Sequence, residues 1–447
     1  MGSQFIGKWR EDIMNGEDKA FVSIDKIEVG GFRNIHLISL ELNKINGLVA
    51  LNGYGKSNLL DGIDFGFKFM KNSPKERIDM MGWSRGIPLN TDNALDDFSF
   101  NVELSVKMKN EETYKVEYGY KFRWAKDDKS GRKIVWEQLR LKDLSKQRPQ
   151  FQYVIKRKNN ETLYKASSEG RCIKPANPGR SELLINRLAL DEEWYLSEVV
   201  KAILDLHVVL EQNLDPNGLY EFMPIVFNDQ IDNIPELIYN LKIHDPDIFN
   251  TLIYAFKQLF PEIEEVIVDE EISNKYVELF KDLDEVPFKV CNKIYMIYIK
   301  QKNINQPLDI KFMSSGTKKM LMMLLHIVLA QLNGTALIAV EEPENSIHPK
   351  LLQSFLRIID QLSSGCKIIF TSHSPYLISY IPLADLFVGA VQDNGLADFR
   401  KIKPLACKRL IKEAELSGVS TGELIFDLLC GDDDDNEFLK GFLNNNG

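Results

Sequence analysis

Two glycines, a lysine and a serine stand close together in "INGLVALNGYGKSNLLDGI", Ile45 to Ile63. Set against the phosphate-loop pattern G-x-x-x-x-G-K-[ST], the positions are Ala50, Leu51, Asn52, Gly53, Tyr54, Gly55, Lys56 and Ser57. Glycines at 53 and 55 let backbone N–H groups turn inward onto phosphate oxygens. The helix expected from Lys56 onward adds the positive end of its dipole. Lys56 would then reach the β- and γ-phosphates, and Ser57 would offer its hydroxyl oxygen to Mg²⁺. Ala50 departs from the pattern, but alanine is small and is tolerated where φ stays negative.

Three further segments carry polar residues at the ends of apolar runs. In "ALIAVEEPENSIHP" a buried strand is expected to stop abruptly at Glu341 and Glu342, and two adjacent acids there need a cation or a partner. Glu341 suits a water-bridged hold on Mg²⁺, and Glu342 suits polarisation of an attacking water. "KFMSSGTKKMLMMLL" places Ser314, Ser315 and Gly316 before an apolar helix, an arrangement that also serves as an ordinary helix cap. "CKIIFTSHSPYLIS" ends a buried strand in Thr371, Ser372 and His373.

The elements that must hold these residues follow from the hydrophobic period. Residues 22–45 alternate like two strands joined at "GGFRN", "GLVAL" is a short buried strand, and a helix follows. "FSFNVELSV", "TYKVEYGYKFRW", "KIVWEQLRLKDL" and "FQYVIKRK" are further alternating strands. From Ser181 the spacing turns helical in "SELLINRLAL", "WYLSEVVKAILDLHVVL" and "DIFNTLIYAFKQLF". Strand and helix then alternate again after "KKMLMMLLHIVLAQL". The most apolar stretch, Met320 to Val340, contains His326, Gln331, Asn333 and Gly334, so a buried helix, a glycine turn and a buried strand are expected in place of a membrane span.

Taken in this order, the four segments resemble an ABC-type ATPase. The loop "NGYGKSN", the strand–turn "IEVGGFRNI" with Arg33, "EEPENSIHP" and "TSHSPYLI" are similar to those of the compact SMC-like, RecF-like and OLD-like branch. That resemblance covers residues 22–70 and 310–430. It implies an α/β fold: an ABC-type P-loop ATPase head with an antiparallel β subdomain and a helical insertion. Residues 1–120 would form the N-terminal part of the nucleotide-binding lobe, 121–312 a β-rich and helical insertion, and 313–447 the signature helix and the C-terminal part of the lobe. ATP and Mg²⁺ are the implied cofactors, with Arg33, Asn52, Gly53, Tyr54, Gly55, Lys56, Ser57 and Asn58 on the nucleotide. Glu342 and His373 are the implied catalytic pair, and Ser57 and Glu341 the metal-side residues. Such ATPases work as head-to-tail pairs, so Ser315 and Gly316, next to Ser314, would cap the γ-phosphate held by Lys56 of a second copy.

Composition narrows the partners. The formal charge of −10 excludes a uniformly basic nucleic-acid coat, and five dispersed cysteines with no C-x-x-C spacing point to a reducing, cytoplasmic setting without a zinc site. Residues 121–160 nevertheless hold thirteen Lys and Arg against four acids, with Phe122, Trp124, Trp136, Phe151 and Tyr153 interleaved. Arg132, Lys133, Arg140 and Lys142 are candidate contacts to nucleic acid or another ligand. Residues 261–288 reverse the balance, ten acids against two lysines, as a protein-docking stretch would. About 250 residues separate Lys56 from Ser315, more than in transporter ATPases, and the coiled coil of SMC proteins is absent. About 70 residues follow His373, too few for an OLD-type nuclease domain. The Asp432–Asp435 run reads as a solvated tail or docking strip.

The expected protein is therefore a dimerising ATPase, or a higher oligomer built from dimers, with no membrane partner. By analogy of fold it is the sensor or regulatory subunit of a bacterial anti-phage system, acting with a separate nuclease or toxin effector. DNA, RNA or a phage protein would be its trigger. The alternatives are a RecF-like DNA-repair ATPase and a slow-turnover scaffold that sequesters a partner.

Overall fold

Alternation of apolar and polar residues from Phe21 to Glu41 turns every second side chain toward a core. In the computed structural model this segment forms two antiparallel strands, β1 (Phe21–Phe32) and β2 (Ile35–Glu41), joined at Arg33 and Asn34. The structure describes residues 20–88, 90, 92–126, 130–159, 161–211, 216–220, 225–226, 234–272, 289–290, 293–332, 334–345, 347–363, 365–389, 392 and 394–444. Strand β3 (Ile45–Val49) leads through the glycine loop into helix α1 (Lys56–Lys71) and the short α2 (Pro74–Met80), which Ser73 and Glu76 close with a capping box. Strands β4 (Phe98–Lys107), β5 (Thr113–Arg123), β6 (Lys133–Asp143), β7 (Gln152–Lys158), β8 (Glu161–Lys165) and β9 (Cys172–Pro175) complete an eight-stranded antiparallel sheet of order β2-β1-β4-β5-β6-β7-β8-β9.

Helix α1 covers the inner face of that sheet. Gly62 and Gly66, one turn apart on the same side of α1, let its backbone approach closely: a Cβ at Gly66 would sit 2.2 Å from the Phe100 ring. Phe32, Phe65, Phe69, Phe98, Phe122 and Trp124 fill the space around it, and the Tyr120 hydroxyl donates to the Gly66 carbonyl at 2.7 Å. Phe122 and Trp124 are thus core residues and unable to stack on a ligand, because strand alternation sends them inward while Lys121 and Arg123 face out. Helices α3 (Leu184–Ala189) and α4 (Ser197–Leu204) follow. The first has no local side-chain cap. Buried Glu137 on β6 supplies one, accepting from the N–H groups of Leu184 (2.8 Å) and Ile185 (2.9 Å).

One expectation changes here. The end of "WYLSEVVKAILDLHVVL" is not helical: His207–Glu211 form β10, paired in parallel with a strand more than a hundred residues further on. A short apolar run is ambiguous between helix and strand, and tertiary pairing decides it.

The described residues fall into two compact units, one within Asp18–Gln212, Gly334–Pro343 and Gly365–Gly447, the other within Asn213–Asn333 and Glu344–Ser364. In the second of these, β11 (Ile225–Val226) leads to helices α5 (Ile234–His244) and α6 (Pro246–Leu259) and strand β12 (Ile263–Ile272). The β11 partner is β13 (Lys289–Val290), while β12 pairs with β14 (Lys293–Gln301), which pairs with β15 (Leu308–Asp309). Helices α7 (Ser315–Leu332) and α8 (Pro349–Leu362) complete it. Part of the acidic stretch lies in β12, where Glu264 and Glu270 pair with Lys300 and Lys293; residues 273–288 lie outside the described residues.

The first unit is finished by a mostly parallel sheet. Strands β16 (Thr335–Glu341), β17 (Lys367–Ser372), β18 (Leu386–Gly389) and β19 (Phe399–Lys401) join β3 and β10 in the order β10-β16-β17-β3-β18-β19. Only β19 runs antiparallel to its neighbour. The apolar stretch Met320–Val340 resolves into the end of α7, a turn at Gly334 (φ 60°) and β16. Helices α9 (Pro375–Tyr380), α10 (Cys407–Ser417), α11 (Thr421–Cys430) and α12 (Asp433–Lys440) close the chain. The Asp432–Asp435 run is therefore a helix start: Asp432 caps α12 and the other three occupy its first turn, where the dipole favours negative charge. Among the described residues no helix is long and apolar enough to cross a membrane.

Replacing Gly66 by alanine tests the close approach of α1. Helix propensity alone favours alanine by about 1 kcal/mol, whereas overpacking against Phe100 costs about 1–3 kcal/mol. We expect a net loss of stability in denaturant unfolding; a gain would show that α1 does not depend on this contact.

Candidate nucleotide-binding site

Strand register gathers the four motifs' first-unit members at one edge. Glu341 on β16 lies beside Thr371 on β17, which lies beside Leu48 on β3, and Ser372 lies beside Val49. The residues that follow all three strands thus leave the sheet at the same edge, outside the carboxyl ends of parallel strands, where open α/β sheets bind ligands. Asn52, Gly53, Gly55, Lys56, Ser57, Asn58 and Glu342 line an open cleft of about 290 Å³ there.

The loop adopts the backbone that the glycines allow. Gly53 has φ 75° and Gly55, which caps α1, has φ 117°, both in the region that side-chain-bearing residues rarely adopt. Ala50 is not among the positive-φ residues, so its methyl group brings no backbone strain. Space for that methyl comes from a neighbouring strand, since a Cβ at Gly389 would lie 2.8 Å from the Ala50 Cβ. Lys56 is 8% exposed and donates through Nζ to the carbonyls of Ala50 (2.7 Å) and Leu51 (3.2 Å), holding a cation beneath the loop.

Opposite the loop, Glu341 accepts a hydrogen bond from Ser57, and burial pushes its carboxyl above the ordinary range; the Ser57 bond pulls the other way. Its second oxygen, Oε1, is buried and has no hydrogen-bond partner among the described residues. A buried anionic oxygen beside a serine hydroxyl fits a divalent cation, and Ser57 and Glu341 are the residues that would hold Mg²⁺. Glu342 has φ 44°, a conformation costing roughly 1–2 kcal/mol outside glycine. It is fixed there by its N–H, which donates to the Thr371 carbonyl at 3.0 Å. The turn aims its side chain into the cleft, where Oε1 lies 3.0 Å from His373 Nδ1.

Arg33 and Tyr54 do not line the cleft, and Asn58, which does, is tied back to the β1–β2 turn. Arg33 (φ 49°) binds Asn58 Oδ1 (2.8 Å), Asp61 Oδ2 (2.6 Å) and the Arg85 carbonyl (2.9 Å), which ties the β1–β2 turn to the first turns of α1. Asn58 also donates to Asn34. The Tyr54 side chain turns away from the cleft onto Phe399, with ring centroids 5.7 Å apart, and burial pushes its phenol up to about 12. Asp61 escaped the sequence reading. It sits four residues after Ser57 on the same helix face, and its charge raises the Glu341 carboxyl further. Ser314, Ser315 and Gly316 belong to the other unit. There Ser314 accepts from the Thr317 N–H at 3.1 Å as the cap of α7, while Ser315 stays exposed at the helix start.

Of the basic strip, Arg140 is salt-bridged to Glu117, Lys142 lies 5.9 Å from the Phe151 ring centroid, and Arg132 packs against Gly82. Lys133 pairs in register with Arg123.

A family model described as "AAA domain, putative AbiEii toxin, Type IV TA system" matches residues 216–379, a span that includes Ser314–Gly316, Glu341, Glu342 and His373. A second, "Protein of unknown function (DUF2813)", matches residues 22–73, which include Arg33 and the glycine loop. No curated protein matches the chain. Among solved structures, the SMC head domain from Thermotoga maritima is 13% identical with a TM-score of 0.40, covering 85% of this chain and 99% of that one. The Smc head domain with an extended coiled coil, bound to the C-terminal domain of ScpA derived from Pyrococcus furiosus, is 12% identical with a TM-score of 0.47, covering 88% and 100%. The recombination mediator protein RecF is 14% identical with a TM-score of 0.38, covering 86% and 99%.

Lys56→Ala removes the one lysine of the loop. Loss of a charge-assisted contact to phosphate weakens nucleotide binding roughly 10- to 100-fold. Isothermal titration with ATP should show this, and unaltered affinity would remove Lys56 from the site.

Proposed function

We propose that this SMC/RecF-like ABC-type P-loop ATPase closes two copies head to tail around ATP and reopens them on hydrolysis. The observation that carries the reading is the Glu342–His373 pair, held at 3.0 Å over the loop by a strained backbone. In this scheme the loop N–H groups and Lys56 bind the phosphates. Mg²⁺, when bound, neutralises phosphate charge. Glu342 takes a proton from the attacking water, and His373 steadies its carboxylate. Ser315, exposed at the start of an 18-residue helix and followed by buried Gly316, would turn the helix N-terminus toward the γ-phosphate of the opposite copy.

The wider role we infer is that of a sensor or regulatory subunit in an anti-phage system, with a separate nuclease or toxin as effector. The family description for residues 216–379 names a toxin–antitoxin system, which supports a role in a system of more than one component.

Glu342→Gln keeps the shape of the side chain and loses its basicity. ATP should bind as in the wild type, while turnover falls about 100-fold or more, the usual worth of a general base. Light scattering should then show dimers accumulating in ATP. Wild-type turnover in the variant would transfer the catalytic role elsewhere.

A further inference from the structure

A second cleft, of about 460 Å³, opens on the outer face of the antiparallel sheet, and none of its residues lines the nucleotide cleft. Its centre is a row across three strands. Lys121 on β5 pairs with Trp136 on β6, which pairs with Lys158 on β7, so the indole stands in register between two lysines that line the same cleft. Lys121 Nζ is 5.9 Å from the Trp136 ring centroid. Neither Lys121 nor Lys158 forms an ion pair with a described residue. Arg123 lines the same cleft and lies 3.8 Å from Asp97, the one carboxylate of the lining, which it partly offsets. Asn101 and Asn159 add amide or backbone polar groups. Gly119 makes room for the Asn101 side chain, since a Cβ there would lie 1.9 Å from the Asn101 Oδ1.

The pattern continues along the face. Trp136 and Arg140 are four residues apart on β6, about 13 Å at the rise of a strand, and share a side of the sheet. Arg140, whose charge is paired with Glu117, lies over the rings of Tyr153 (5.8 Å) and Phe151 (5.3 Å), which are 43% and 40% exposed. Lys156 lies 5.3 Å from the Tyr153 centroid. Three partly open aromatic rings, each flanked by cations, thus follow one another on a chain whose net charge is −10.

We propose that this outer face, centred on Lys121, Trp136 and Lys158, binds single-stranded nucleic acid. Cations spaced along a groove track a phosphate backbone, and exposed rings stack on bases whatever their sequence. A duplex fits less well: its bases are already stacked, and this sheet face presents neither a helix nor a ribbon to enter a major groove. The site stands apart from the ATPase chemistry and is read by binding alone, so it does not depend on the sensor role.

The test uses the full chain and a labelled oligothymidylate of about 16 nucleotides, read by fluorescence anisotropy over a series of salt concentrations. A duplex of equal length and polyglutamate serve as competitors. Wild-type protein should bind the single strand more tightly than the duplex. Trp136→Ala should weaken binding about tenfold, and Trp136→Phe should restore most of it. Reversal of both lysines, Lys121→Glu with Lys158→Glu, should weaken binding and flatten the salt slope by about 1.4, or about 0.7 for each lost phosphate contact. Basal ATPase and melting temperature report whether each variant is folded. No binding by the wild type, an unaffected Trp136→Ala, equal preference for duplex, or polyglutamate competing as well as the oligonucleotide would each overturn the proposal.

Discussion

A carboxylate oxygen buried without a partner is the constraint on which the rest of this site turns. Glu341 Oε1 ends an apolar strand, and nothing described offers it a hydrogen. An isolated buried anion is costly, so the arrangement is stable only with help: the Ser57 hydroxyl on one oxygen and Lys56 nearby. What the second oxygen lacks is a cation. The same residues that leave it short are those that would hold phosphate beside it, so in the proposed scheme Mg²⁺ and a nucleotide would relieve this cost together.

Around that point the backbone is held in conformations it would not choose. Gly53 and Gly55 take positive φ without strain, but Glu342 takes it as a glutamate. Its N–H bond to Thr371 is possible because β16 and β17 run parallel in this register. Helix α1 links this edge to the other sheet. Its first turn closes the phosphate loop, and its Gly62–Gly66 side packs on β1 and β4. The opposite face of that sheet carries the Lys121–Trp136–Lys158 row. One layer of helix and sheet therefore lies between the nucleotide loop and the cationic face, and both are built on rigid elements.

Much of this was legible in the sequence because it is local. The strands flanking the loop, the helix after it and the abrupt end of β16 are written in the period of apolar residues, and the positions of Lys56, Ser57, Glu341 and Glu342 follow from them. What was not legible depends on pairing between distant segments. β10 looks helical until β16 provides an edge to join. Counting charge over 121–160 merges two faces of a sheet, and only the register separates buried Phe122 and Trp124 from outward Lys121 and Arg123. Arg33 and Tyr54 sit in nucleotide-like positions along the chain, yet their side chains brace the loop against Asp61 and Phe399. Likewise, the missing glycine at position 50 is matched by Gly389, more than three hundred residues away in the chain but adjacent in the fold.

The most direct test of this account compares thermal melts of the wild type and Glu341→Gln, each with and without Mg²⁺ and ATP. The amide keeps the shape and can still accept from Ser57, but it removes the buried charge. The account predicts that the variant without ligands melts at or above the wild-type temperature, and that the upward shift caused by Mg²⁺ with ATP shrinks markedly. A variant that is less stable without ligands and still gains the full shift would contradict it, since the Glu341 carboxylate would then be part of the scaffold and not the place where the cation belongs.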